Sequence, residues 1–256
     1  MQNPVAFVLL EQPIEPDLRQ VLLAFKKRHP GISLEMKLGP DGAPMKVPLL
    51  QIDGVTMAVM AVETAMTDGW QVLAQRAAAY WPDATAALGR HKAHLIVSAV
   101  GAYHDRLKVA RCITALVGAI VVATPHCLGV LWDTVVAHPA RNYEKFGLHA
   151  FAPFPEMPVS LWVSFHPFQE PGIAGAVTMG LQRFVDREIE FLAPGKDAVT
   201  VLNRTQGLAV YLLQNGAVLG DGDTIGVSAA EHIRVRHLTS QRFSGLPVYA
   251  ASVGAS

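Results

Sequence analysis

Apolar and polar positions fall along this chain in blocks whose period changes abruptly. VAFVLL at 5–10 is an uninterrupted apolar run closed off by Pro4 and Pro13, the length of a buried strand. In EPDLRQVLLAFKKRHPG the period becomes helical. Leu18, Val21, Leu22 and Phe25 share one face, acids open the segment, Lys26, Lys27 and Arg28 close it, and Pro30-Gly31 stop it. SLEMKL (33–38) alternates strictly and predicts a half-buried strand with Leu34, Met36 and Leu38 on the covered face. GPDGAP (39–44) is a turn-rich loop, and VPLLQIDGVTMAVMAV (47–62) predicts two strands joined at Asp53-Gly54.

GWQVLAQRAAAYWPDATAALGRH predicts a helical stretch that Pro82 breaks or kinks. AHLIVSAV (93–100), a helix over 105–123 and CLGVLW up to Trp132 form a strand-helix-strand series. Proline, glycine and aromatic residues gather in KFGLHAFAPFPEMP (145–158), the best candidate for a connection between halves. Beyond it VSLWVSFH and GAVTMGLQRF read as strands, and so does REIEFL, where Ile189 and Phe191 alternate with acids. Residues 197–214 have helical spacing, with Asp197 as N-cap and Asn215-Gly216 as the C-terminal stop; EHIRVRHL and LPVYAAS are closing strands. The fold class is therefore α+β, with mixed or antiparallel sheets and packed helices. The pattern divides into two similar-sized lobes, 1–146 and 147–256, or runs as one continuous domain.

Charge narrows the partners. Lys+Arg and Asp+Glu both total 21 of 256 residues, so there is none of the basic surplus that a row of phosphates demands, and nucleic acid is not an expected partner. The apolar share of 51% is that of a globular chain. Cys112 and Cys127 are the two cysteines; with no secretory pattern at the N-terminus they suggest a reducing, cytoplasmic setting. The greasiest stretch, ITALVGAIVVA (113–123), falls short of the roughly 20 residues that cross a bilayer, so no membrane association is expected.

The most chemical-looking segment is GDGDTIGVS (220–228). As a calcium loop it fails, because Ile225 takes the third ligand position and no glutamate closes it. As a phosphate loop it has the reverse order, with helix before and strand after. Glycine and aspartate are what tight turns select, so it reads as a corner. His91 and His94 lie three apart, but the apolar run behind His94 puts them on a strand, facing opposite ways, and no metal site is expected. His126 beside Cys127 is a sequence neighbour, not the folded-together base that a thiol nucleophile needs. Trp132-Asp133, and Trp162 with His166, are polar-tipped groups at strand ends that line a pocket or close the core. Arg234 and Arg236 alternate with Ile233 and Val235 on the solvent face of a strand, where they guard an edge or offer an anion patch.

WPDATAALGRHKAHLIVS (81–98), the helix after it, LGVLW (128–132) and above all GDGDTIGVSAAEHIRVRHLTSQRFSGLPV (220–248) resemble a bacterial family of domains of unknown function, DUF4261. Within the last block, DGDTIG, EHIRVR and Ser240 carry most of the likeness. The resemblance transfers no catalytic residue. A looser similarity of GDTIG to suppressor-of-fused-like domains, which are binding modules, rests on that turn and its flanking strand.

The expected function is a non-enzymatic binding or protein-interaction module for a protein or small-molecule partner, with His94, His126, Trp132, His166, Arg234 and Arg236 as binding candidates and no cofactor. The alternative is a hydrolase-like enzyme whose histidines and aspartates converge only in space. Self-association as a homo-oligomer through strand edges is a further expectation.

Overall fold

The computed structural model describes residues 3–39, 44–228, 231–243 and 245–253. Most of the GPDGAP loop lies outside the described residues. The chain forms two compact units, Met1–Leu161 and Trp162–Ser256.

The first unit follows the predicted order closely. Strand β1 (Val5–Leu10) leads to helix α1 (Leu18–Arg28), whose cap Asp17 accepts the Arg19 and Gln20 amides at 2.9 and 3.3 Å. Then come β2 (Leu34–Leu38), β3 (Pro44–Ile52) and β4 (Val55–Val62). Asp53 and Gly54 both take positive φ, 47° and 80°, the conformation of a tight hairpin turn. The helical stretch is broken as Pro82 requires, into α2 (Trp70–Ala77) and α3 (Ala84–Leu88). β5 (Ala93–Ala99), α4 (Arg106–Ala123) and β6 (Cys127–Trp132) complete the predicted series, and β7 (Val136–Pro139) and α5 (Ala140–Phe146) follow.

These strands form one antiparallel sheet in the order β2-β3-β4-β5-β1-β6-β7. β5 and β6 both run antiparallel to β1, so they are parallel to each other with β1 between them, and α4 makes the crossover. Ala6, Val8, Leu95 and Val97 are buried on the α4 side, and α4 packs in turn against α1 and α5. On the opposite side, Leu73, Ala77, Trp81 and Leu88 of the broken helix bury Leu9, Leu131 and Ala137. The packing is tight: a Cβ on Gly129 would stand 2.6 Å from Leu88 Cδ2 and 2.9 Å from the His138 carbonyl oxygen.

Two expectations are corrected here. β2 is a strand, but Met36 and Leu38 are exposed, because β2 is the sheet's edge and α4 packs over β1, β4 and β5. The expected connection at 145–158 is not a free linker. Arg111 Nε of α4 donates to the Ala150 carbonyl at 2.9 Å, which ties the segment to the first unit, and that unit runs on to Leu161.

In the second unit β8 (Ser164–Glu170), β9 (Ile173–Met179), a short turn of helix α6 (Gln182–Val185), β10 (Glu188–Pro194), α7 (Ala198–Asn215), β11 (Thr224–Ser228), β12 (Glu231–Thr239) and β13 (Pro247–Val253) form a mixed sheet in the order β11-β12-β13-β10-β9-β8. β10 and β13 pair in parallel. Asp197 caps α7 by accepting the Thr200 amide at 2.9 Å, and Gly216 follows with φ 83°, as the sequence signalled. VSLWVSFH is not one strand: Val159–Leu161 is a 3-10 turn and extended chain begins at Ser164. The acids of REIEFL do not face water. β10 lies inside the sheet, leaving Glu188 3% and Glu190 5% exposed.

Candidate functional site

The first unit carries an open groove of about 1000 Å³, within the size range of ligand sites. One bank is the segment Pro13–Arg19, where Pro13 and Pro16 stiffen the approach to α1 and present Ile14 and Leu18. The other is the end of the sheet that α4 leaves open, with Met36 of β2, Pro48 of β3, Val59 and Ala61 of β4, and Ala93 of β5. Register explains the grouping: Met36 pairs with Leu50 and Leu50 with Met57, and alternation along β4 puts Val59 and Ala61 on the face of Met57. Glu15, Arg19, Lys46 and Glu63 add charge of both signs. The surface is therefore an apolar trough with charged margins, and a methionine wall adapts its shape to what it meets.

His94 belongs to this lining, but its Nδ1 lies 3.0 Å from the Thr64 carbonyl, and burial lowers its pKa. His91, expected to face away from it, accepts the Met66 amide on Nε2 at 2.9 Å and donates from Nδ1 to the Leu88 carbonyl at 2.6 Å. Both rings are thus tied to backbone. His126 sits at positive φ, 62°, with Nδ1 3.7 Å from Glu11 Oε2 on the surface. Its neighbour Cys127 donates to the Thr124 carbonyl at 3.3 Å, and burial pushes its thiol up to about 12, far from the thiolate that nucleophilic attack requires. Trp132 is buried in the core. Among the described residues, no three of His, Cys, Asp and Glu stand where they could hold a metal ion together.

In the second unit His166 Nε2 lies 2.8 Å from Ser164 Oγ, hydrogen-bond reach between a hydroxyl and a base. Arg234 and Arg236 point to solvent between buried Ile233 and Val235, and Arg236 Nε reaches Asp221 Oδ1 at 3.1 Å. The GDGD segment is a corner. Asp223 Oδ2 accepts the Gly220 amide at 2.7 Å, Asp221 Oδ1 accepts the His237 amide at 2.8 Å, and Gly222 takes φ 92°.

The densest polar constellation was not legible as one. Glu188 fills the turn before α6. Its Oε1 accepts the Gly180 and Gln182 amides at 2.7 and 3.0 Å, and its Oε2 accepts the Thr178 hydroxyl and Leu181 amide at 2.7 and 3.0 Å. Burial raises its pKa above the usual carboxylate range, and the four donors limit the rise. Nearby Arg242 grips Glu170 with Nε and Nη2 at 2.7 and 2.9 Å and Glu190 with Nη1 at 2.7 Å, while lying 5.6 Å from the Phe168 ring centre. The two acids hold the guanidinium fully protonated. Glu190 and Arg242 lie far apart in sequence, and nothing local marks them as partners.

Residues 177–246 match the family model described as domain of unknown function (DUF4261). The matched segment contains Glu188, Glu190, Arg242 and the GDGD corner, and it takes in most of the 220–248 block on which the resemblance chiefly rested; the 81–132 part lies outside it. No curated protein and no solved structure matches the chain. Among the described residues, no helix is long and apolar enough to cross a membrane.

Arg242 acts as a strap from the β12–β13 loop onto Glu190 of β10 and Glu170 of β8. Arg242→Met should destabilise the protein by about 2 kcal/mol at neutral pH, less than a fully buried pair because the Arg242 side chain is a third exposed. The loss should shrink at acid pH: Arg242 holds the Glu170 carboxyl below its ordinary value, so the stability from that pair is lost from the wild type too as pH falls through the lowered value. Urea unfolding of both proteins at neutral and acid pH checks this.

Proposed function

We propose that the protein is a binding module and that the groove of the first unit is where it takes its partner, an elongated apolar segment of a protein or small molecule. The trough itself carries this reading: it offers Ile14, Leu18, Met36 and Ala61 to a ligand, over a floor that includes buried Val59, with charged groups at its margins. The polar groups elsewhere support it, since His91, His94, Glu188 and Arg242 are each engaged in bonds that hold one segment of backbone to another or one acid to its base.

Anilinonaphthalene sulfonate, an apolar dye with a charged end, provides the test. It should bind saturably, one per chain, and Ala61→Trp, which fills the trough at an exposed position, should weaken that binding at least tenfold with the fold intact by circular dichroism. Equal binding by a folded Ala61→Trp protein would overturn the assignment.

A hydrolytic reading has one observation on its side, the contact between Ser164 and His166. Under the binding reading a fluorophosphonate leaves Ser164 unmodified. A covalent adduct on Ser164 would replace the binding reading with the hydrolytic one.

A further inference from the structure

The edges of the two sheets are not alike. β7 is four buried residues ending in Pro139, β8 carries Pro167, and β11 carries Gly226, each a device that spoils pairing with another strand. β2 has neither proline nor glycine, and its residues from Glu35 to Leu38 are exposed. Met36 is 37% and Leu38 52% exposed, a high value for apolar side chains on a sheet edge.

The strand reads Leu34-Glu35-Met36-Lys37-Leu38, and this order is its own complement when reversed. Set antiparallel to a second copy with the two Met36 residues opposite each other, Glu35 faces the partner's Lys37, Lys37 faces the partner's Glu35, and each Leu34 faces a Leu38. We infer that the protein dimerises by antiparallel pairing of β2 with β2 of a second copy, joining two seven-stranded sheets into one. A lysine on an edge strand ordinarily repels a foreign strand. Here Glu35 two residues away, on the same face of the strand, turns that guard into a recognition element for the same sequence.

The charges also fix the register. A slip of two residues one way sets Glu35 against the partner's Glu35, and the other way Lys37 against the partner's Lys37. A slip of one residue reverses the faces. Among the described residues Lys37 Nζ reaches Thr56 Oγ1 at 3.4 Å, a long contact that it can exchange for a carboxylate. Five residues a side make a small interface, so association in the micromolar range is expected. Met36 also lines the groove, so the pairing borders that site without depending on what fills it.

Sedimentation velocity on the full chain tests this. The wild type should form dimers across the micromolar range. Glu35→Lys and Lys37→Glu should each weaken the dimer by about tenfold to a hundredfold, since each sets two like-charge pairs in place of two opposite ones. Mixed in equal amounts, the two variants should dimerise again, because one then presents two lysines to the other's two glutamates. The double exchange Glu35→Lys/Lys37→Glu should dimerise like the wild type. A wild type that stays monomeric, single variants that dimerise unchanged, or folded variants whose mixture stays monomeric would each overturn the inference.

Discussion

Glu188→Leu is expected to cost about 3–5 kcal/mol, because it leaves the Gly180, Leu181 and Gln182 amides and the Thr178 hydroxyl without their acceptor in a buried site. Glu188→Gln should recover only part of that loss, since the amide nitrogen would confront donors that now meet an oxygen. The Thr178 hydroxyl also accepts the Ile189 amide at 2.8 Å, so the disturbance should spread into the β9–β10 ladder. Hydrogen exchange of the β9 and β10 amides reads the effect locally and separates it from the first unit. Unchanged protection in Glu188→Leu would show that the turn before α6 does not need the carboxylate.

The second large effect is acid sensitivity of the first unit. Burial lowers His138 to about 4, between Tyr80 and Tyr143 and against the Ser160 carbonyl. Burial, with the charge of Arg28 adding to it, lowers His29 to about 4. Both are held neutral in the folded state, whereas in the unfolded chain they take up protons near 6.5. A depressed folded value means stability present above the unfolded value and lost as pH falls toward the folded one. Stability should therefore decline between pH 6.5 and 4, by about 3 kcal/mol for His138 and less for His29, which lies at the end of α1. His138→Gln keeps an N–H for the Ser160 carbonyl and should flatten that decline by about one proton's worth. Urea midpoints measured across this range check it; parallel declines in both proteins would show that His138 is not a source of the acid sensitivity.

What the sequence revealed, and what it concealed, has a physical pattern. Elements whose signals are local were legible: the Asp53-Gly54 hairpin, the break at Pro82, the Asp197 cap and the GDGD corner all rest on residues a few positions apart. Burial decided by tertiary neighbours was not. Met36 and Leu38 alternate like core residues yet lie at a sheet edge, and Glu188 and Glu190 alternate like surface residues yet lie inside one. The groove joins 13–19 to strands at 36, 46–48, 59–63 and 93–94, a convergence fixed by the strand order β2-β3-β4-β5 rather than by any spacing. Of the six binding candidates, His94 alone lines the groove. His166 stands with Ser164, Arg236 with Asp221, His126 near Glu11, and Trp132 in the core. Arg234 remains on the exposed face of β12, where alternation placed it.

The central claim is that the polar side chains of this protein build and hold its architecture, while recognition belongs to the apolar trough between Pro13–Arg19 and the sheet. Methyl spectra of the methionines during an anilinonaphthalene sulfonate titration address it most directly. Saturable shifts at Met36, with Met179 of the second unit unmoved, are the predicted result. Shifts that spare Met36 and gather instead at Met179, beside Ser164, would contradict it.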